Sequence, residues 1–175
     1  LSFKGIAHYN IARALEDNNI EYKDINTRAT YFNSILWSSQ IELEDSYMFT
    51  YYSLFDNSPP YFTKEFPKNH DMLIPFIDNK KIQQLIILSN GHYIMTNENN
   101  ELIFWNLKLG QKGFDKNASP YIWSYVIEKT DQGEMLFDET NEKMNALKIQ
   151  EVRSFRNNRK YSEEFNNFIE RLKGI

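Results

Sequence analysis

Apolar residues recur along this chain in two rhythms, and the first is helical. Phe3, Ala7, Ile11, Ala14 and Leu15 share one face at three-to-four spacing, and Asp17, Asn18 and Asn19 offer a stop, which predicts an amphipathic helix from Phe3 to Asn18. The rhythm then shortens. Glu21 to Ile25 suggests a brief strand, Asn26 to Phe32 an irregular connection, and Asn33 to Asp56 two aromatic-rich strands around an acidic turn at Glu44 to Ser46. In the second of these strands both alternating faces are apolar. Tyr47, Phe49, Tyr51 and Phe55 lie on one side and Met48, Tyr52 and Leu54 on the other, the pattern of an interior strand covered by helix on at least one face.

Asp56 to Asn69 has the composition of a loop, because Pro59, Pro60 and Pro67 cannot donate to a ladder and Asn57 and Ser58 favour turns. A second helix is predicted from Asp78, as N-cap, to Asn90-Gly91, with Ile82, Leu85 and Ile86 on one face. His92 to Thr96 and Leu102 to Leu107 alternate around the polar Asn97 to Glu101, which predicts a hairpin. A third hairpin is expected from Tyr121 to Lys129 with Met135 to Phe137, around Asp131-Gln132-Gly133. Finally, Phe165, Phe168, Ile169 and Leu172 make one face of a C-terminal helix opened by Ser162. These elements define an α+β fold. The expectation is a single domain with one antiparallel sheet of hairpins, five to seven strands in all, and the N-terminal, central and C-terminal helices packed on it.

Composition narrows the function more than the fold. With 175 residues, 41% hydrophobic and 15% aromatic, the chain can bury one substantial core, and no break in composition suggests two. A net charge of -4 argues against a dedicated nucleic-acid binder, which needs a basic face for phosphate neutralisation. Locally the sign reverses, with Lys148, Arg153, Arg156, Arg159 and Lys160 forming a basic stretch after the acid-rich Glu128 to Glu142. The absence of cysteine removes disulfides, thiolate zinc sites and thiol nucleophiles. The longest apolar stretch, Ile82 to Leu88, contains two glutamines and falls well short of the roughly 20 residues a spanning helix requires. The chain is therefore expected to be soluble.

No catalytic residue can be assigned from motifs. His8, His70 and His92 lie in different elements without metal-ligand spacing, no G-x-S-x-G is present, and Ser53 and Ser124 fall inside strands. Gly110-Gln111-Lys112-Gly113 lacks the length of a phosphate-cradling loop. Glu42, Glu44, Asp138 and Glu139 have the placement of solvated carboxylates, and Tyr51, Tyr52, Trp105 and Trp123 stand at strand spacing, where aromatics are usually core. One constellation stands out. Lys64-Glu65-Phe66-Pro67-Lys68-Asn69-His70 gathers cations, an amide and an imidazole beside a stiff turn, so Asp56, Lys64, Lys68, Asn69 and His70 form a candidate binding loop for an anionic or planar ligand. The competing assignment makes Asn69 or Asp71 the cap of a short helix through Met72, Leu73 and Phe76.

Asn33-Ser34-Ile35-Leu36-Trp37, Tyr51-Tyr52-Ser53-Leu54-Phe55-Asp56, Pro67-Lys68-Asn69-His70 and Leu107-Lys108-Leu109-Gly110-Gln111 follow one another in an order that resembles a bacterial family. From the first helix to the closing Phe168-Ile169-Glu170-Arg171-Leu172-Lys173-Gly174, the chain is similar to the C-terminal soluble part of the Bacteroidetes-type membrane-bound metal-dependent hydrolases. The resemblance implies a longer inner-membrane protein. Its N-terminal transmembrane helices would carry the His and Asp residues and the divalent metal, while this chain would bind no cofactor and no metal and contribute no catalytic residue. The opening at Leu1 without a methionine agrees with that expectation. The implied partners are its own N-terminal transmembrane region and, through the basic stretch from Arg153 to Lys160, the membrane surface. No nucleic acid is expected. Three roles stay open: an accessory, non-catalytic domain of such a hydrolase, a free-standing ligand-binding module using residues 64–70, and a contact for anionic lipid headgroups.

Overall fold

Ser2 starts the first helix by accepting the Gly5 N–H on its hydroxyl at 3.2 Å, and helix α1 runs from Phe3 to Asp17. Asn19, at φ 54°, turns the chain away. The structure is a computed structural model and describes residues 2–30, 33–98, 101–109, 123–129, 147–153 and 161–174. Strands β1 (Asp24–Ala29), β2 (Leu36–Glu42), β3 (Ser46–Ser53) and β4 (Phe66–Pro67) follow, all antiparallel and in that order across the first sheet. The acidic turn between β2 and β3 is closed by Leu43 N donating to Ser46 O at 2.9 Å.

All eight residues of β3 are buried, as its doubly apolar pattern requires. Ala7, Ile11 and Leu15 of α1 pack with Trp37, Ile41, Leu43, Met48 and Tyr52 into one core. Register places Ile41 opposite Met48 and Trp37 opposite Tyr52, so this is a single face of the sheet. The other face carries Tyr47, Phe49 and Tyr51, with the Phe49 and Phe66 rings 5.9 Å apart.

The first strand lies at Asp24–Ala29, further along than the predicted Glu21 to Ile25, and takes in part of the supposed irregular connection. The reason is a polar residue pointing inward. Thr27 is buried on the α1 side, where its hydroxyl bonds Ser39 Oγ at 2.8 Å and His8 Nδ1 at 3.0 Å, so alternation of apolar residues is lost there.

Beyond β4 the chain forms a 3-10 helix (His70–Phe76), helix α2 (Lys80–Leu88), strands β5 (Tyr93–Glu98), β6 (Glu101–Asn106), β7 (Trp123–Lys129) and β8 (Leu147–Arg153), and helix α3 (Tyr161–Leu172). Strands β5 to β8 make a second four-stranded antiparallel sheet in sequential order. The fold is therefore α+β, with its strands divided between two sheets where one was expected. Pro67 accounts for the break: it cannot donate to a further ladder, and the chain leaves β4 directly for the 3-10 helix. Two compact units result. One combines the chain up to Pro67 with α3, and the other comprises Lys68–Leu109 with β7 and β8.

In the second unit Leu73, Ile82, Leu85, Tyr93, Met95, Phe104 and Ile127 form the core. Helix α2 is capped by Asn79, whose side chain accepts Lys81 N at 2.9 Å, and not by Asp78; Asn79 N bonds Phe76 O, so capping and closure of the preceding helix meet at one residue. Asn90 and Gly91, both at positive φ, end it as expected. On the side away from β6, β7 pairs β8, with Ile127 opposite Ile149 and Lys129 opposite Leu147. Met135 to Phe137, the expected hairpin partner, lie outside the described residues, as do Arg156, Arg159 and Lys160, whereas Lys148 and Arg153 belong to β8. Among the described residues no helix is long and apolar enough to cross a membrane.

Phe104 is fully buried between Tyr93 and Tyr125. Phe104→Ala is expected to cost about 3–5 kcal/mol in urea denaturation, as large core truncations do. Tyr9→Ala, at a position 61% exposed, should stay within about 0.5 kcal/mol of the parent.

Candidate functional site

Asp56 stands in the turn that ends β3. Its N–H donates to Ser53 O at 3.0 Å, and its Oδ2 accepts the Ser53 N–H at 2.8 Å, so the carboxylate already closes a local ring. Helix α3 brings Arg171 to the same carboxylate across 115 residues of sequence. The guanidinium forms a two-pronged pair, with Nη2 on Oδ2 at 2.7 Å and Nη1 on Oδ1, and Nη2 also donates to Tyr51 O at 2.8 Å. The Tyr61 ring centroid lies 5.9 Å from its carbon. Side-chain exposures of 12% for Arg171 and 5% for Asp56 take the pair largely out of solvent screening.

The C-terminus is drawn in by the same turn. Ser53 Oγ donates to Leu172 O at 2.8 Å, and Gly174, at φ 81°, approaches so closely that a Cβ there would lie 2.5 Å from Phe55 O. Two polar atoms in this part of the molecule, Arg171 Nε and Gln40 Nε2, are buried without a partner among the described residues.

Burial opposes the charge on Arg171, but the hydrogen bond and charge of Asp56, together with Tyr61, more than offset it and hold the guanidinium pKa above its ordinary value. Tyr51 is pushed upward as well. Burial dominates there, Tyr61 adds to it, and Arg28 opposes it.

In the second unit, Lys68, Asn69 and His70 meet the outer edge of β5. Lys68 O accepts Met95 N at 3.0 Å, Asn69 Nδ2 donates to Met95 O at 2.9 Å, and His70 Nε2 donates to Tyr93 O at 2.8 Å. The last bond places a proton on Nε2. The His70 ring also stacks on Tyr93 at 4.0 Å, and Tyr93 stacks on Phe104 at 4.6 Å, so the imidazole ends an aromatic column rooted in the core. Asn69 occupies the cap position of the 3-10 helix in a left-handed conformation, yet its side chain makes no cap bond and reaches β5 instead.

The predicted loop is thus divided. Asp56 and Lys64 belong to the first unit and Lys68, Asn69 and His70 to the second. Asp56 is held by Arg171 and Ser53, and the donors of Asn69 and His70 satisfy strand carbonyls. Lys64 is exposed, with its ammonium 5.6 Å from the Phe66 ring centroid. Arg171 and Gly174 carry no candidate role in the sequence pattern, and Ser53 enters it only as a strand serine unsuited to a nucleophile. The available signal was a cation at the margin of the apolar face made by Phe168, Ile169 and Leu172, which calls for a buried partner. Among the described residues no three His, Asp or Glu side chains gather as a group able to hold a metal ion. No family model, curated protein or solved structure matches this chain.

Tyr51 sets a pH limit. Its phenol ionises in the unfolded chain at the ordinary value of 10.0 and higher in the folded one, so its contribution is complete below that pH and is lost as pH rises. Arg171, raised above its ordinary value, adds no slope until still more alkaline conditions. In denaturation curves above pH 10, Tyr51→Phe is expected to reduce the loss of stability without abolishing it, because Tyr52 and Tyr93 are shifted in the same direction. An unchanged alkaline slope would contradict this assignment.

Proposed function

We propose that this chain is an accessory, non-catalytic module of the kind that membrane-bound metal-dependent hydrolases carry beside their transmembrane part. What supports this reading is how the most reactive-looking side chains are used. Asp56 neutralises Arg171, and Asn69 and His70 satisfy carbonyl groups of an edge strand. Groups held this way are hard to recruit for proton transfer or metal ligation, since each would first have to leave a desolvated partner. Metal and catalysis would then belong to the membrane part implied by the family resemblance, and this chain would cover, position or connect it.

The decisive experiment treats the chain and its gene together. Purified chain should bind no zinc or manganese at one equivalent by calorimetry and should turn over neither phosphoesters nor carboxylic esters, while the gene should encode several apolar spans with His and Asp before Leu1. Stoichiometric metal or turnover by the purified chain would overturn the non-catalytic assignment. An upstream sequence without such spans would overturn the family assignment.

A further inference from the structure

Asn90-Gly91 closes α2, and it is the one Asn-Gly pair in the chain. Asparagine is thermolabile because the backbone nitrogen that follows it can attack its carboxamide, and a following glycine, without a Cβ, shields that nitrogen least. The position is open. Asn90 is exposed, its carboxamide makes no hydrogen bond among the described residues, and a Cβ built on Gly91 would meet no atom within 4 Å. Other asparagines are held. Asn33 Oδ1 accepts Ile35 N at 3.0 Å and Leu36 N at 2.7 Å, Asn69 Nδ2 donates to Met95 O, Asn79 caps α2, and Asn106 Oδ1 accepts Lys108 N at 2.9 Å. Asn57 is exposed as well, but the side chain of the following Ser58 stands in the way of the attacking nitrogen.

One bond opposes the reaction. Gly91 N donates to Ile86 O at 3.0 Å, and that proton must leave before the nitrogen can attack. The bond belongs to the last turn of α2, which Asn90 at φ 54° and Gly91 at φ 77° terminate in the left-handed region. Helix ends open at a small fraction of the free energy of global unfolding, so the protection is partial.

We propose that Asn90 is a site of spontaneous deamidation and that its conversion removes the cap of α2. Gly91 N gives up its proton and bonds Cγ of Asn90, the Cγ–Nδ2 bond breaks, and the amide nitrogen leaves with that proton as ammonia. Water then opens the succinimide ring at either of its two carbonyl carbons, its oxygen going to carbon and its hydrogen to nitrogen. One opening leaves an aspartate side chain; the other routes the main chain through Cγ as isoaspartate. Both products set a carboxylate at the C-terminal end of α2, where the helix dipole is already negative. Lys108, whose ammonium lies 3.3 Å from Leu88 O, answers part of that charge. The larger effect is the extra main-chain carbon of isoaspartate, which moves Gly91 N away from Ile86 O.

The proposal goes beyond the accessory-module reading, because it needs only water and the chain itself. Incubation of the folded 175-residue chain in mildly alkaline buffer, followed over time by peptide mapping and mass spectrometry, tests it. The peptide that ends α2 should gain close to one dalton before any peptide carrying another asparagine, and faster at higher pH, as loss of a backbone proton requires. Fragmentation should place the gain on Asn90, and Asn90→Ser should abolish it. The converted chain should melt a few degrees below fresh protein, with Asn90→Asp between the two. Conversion in denaturant but none in the folded chain over the same interval, or earlier conversion at Asn57 or any other asparagine, overturns the site. Equal melting of converted and fresh chains overturns the loss of the cap.

Discussion

The first unit depends on one long-range pair, Arg171 with Asp56. Its two partners lie 115 residues apart in sequence, and neither is tolerable alone at its depth, since a single buried charge without its partner costs several kcal/mol where the matched pair is nearly neutral. The pair therefore acts as a requirement more than as a gain. If α3 is to lie where Arg171 can reach Asp56, the turn after β3 must hold the carboxylate in place, and the Ser53 N–H does so. Ser53 Oγ on Leu172 O and the close passage of Gly174 past Phe55 follow from the same constraint.

A comparable requirement shapes the second unit. β5 lies at the end of its sheet, and a bare edge would expose backbone groups able to pair with other strands. Lys68, Asn69 and His70 cover that edge with one backbone and two side-chain bonds, and the His70 ring extends the aromatic stack from Phe104 outward. Polar groups that would suit an anion or a planar ligand are thus engaged with the backbone of an edge strand.

How much of this was legible in the sequence follows from the range of the forces involved. α1, the aromatic hairpin, α2 and the β5–β6 hairpin are local patterns, and each was readable from spacing and turn residues. β1 was misplaced because Thr27 points inward with its hydroxyl satisfied by Ser39 and His8, a solution that periodicity cannot register. The β7–β8 pairing and the division into two sheets depend on long-range register and on where Pro67 ends a ladder. The candidate site was legible as residues but not as roles. Asp56, Asn69 and His70 stand out in the sequence as a candidate binding loop, yet their partners Arg171, Met95 and Tyr93 are distant in sequence, so whether they serve the fold or a ligand is not readable from composition.

The central claim is that Asp56 and Arg171 form one structural unit, and a double-mutant cycle measures that most directly. With Asp56→Asn, Arg171→Met and the double variant compared in chemical denaturation, the account predicts large single losses and a coupling energy of at least about 2 kcal/mol, the double variant being little worse than either single one. Additive effects, with coupling below about 0.5 kcal/mol, would contradict it.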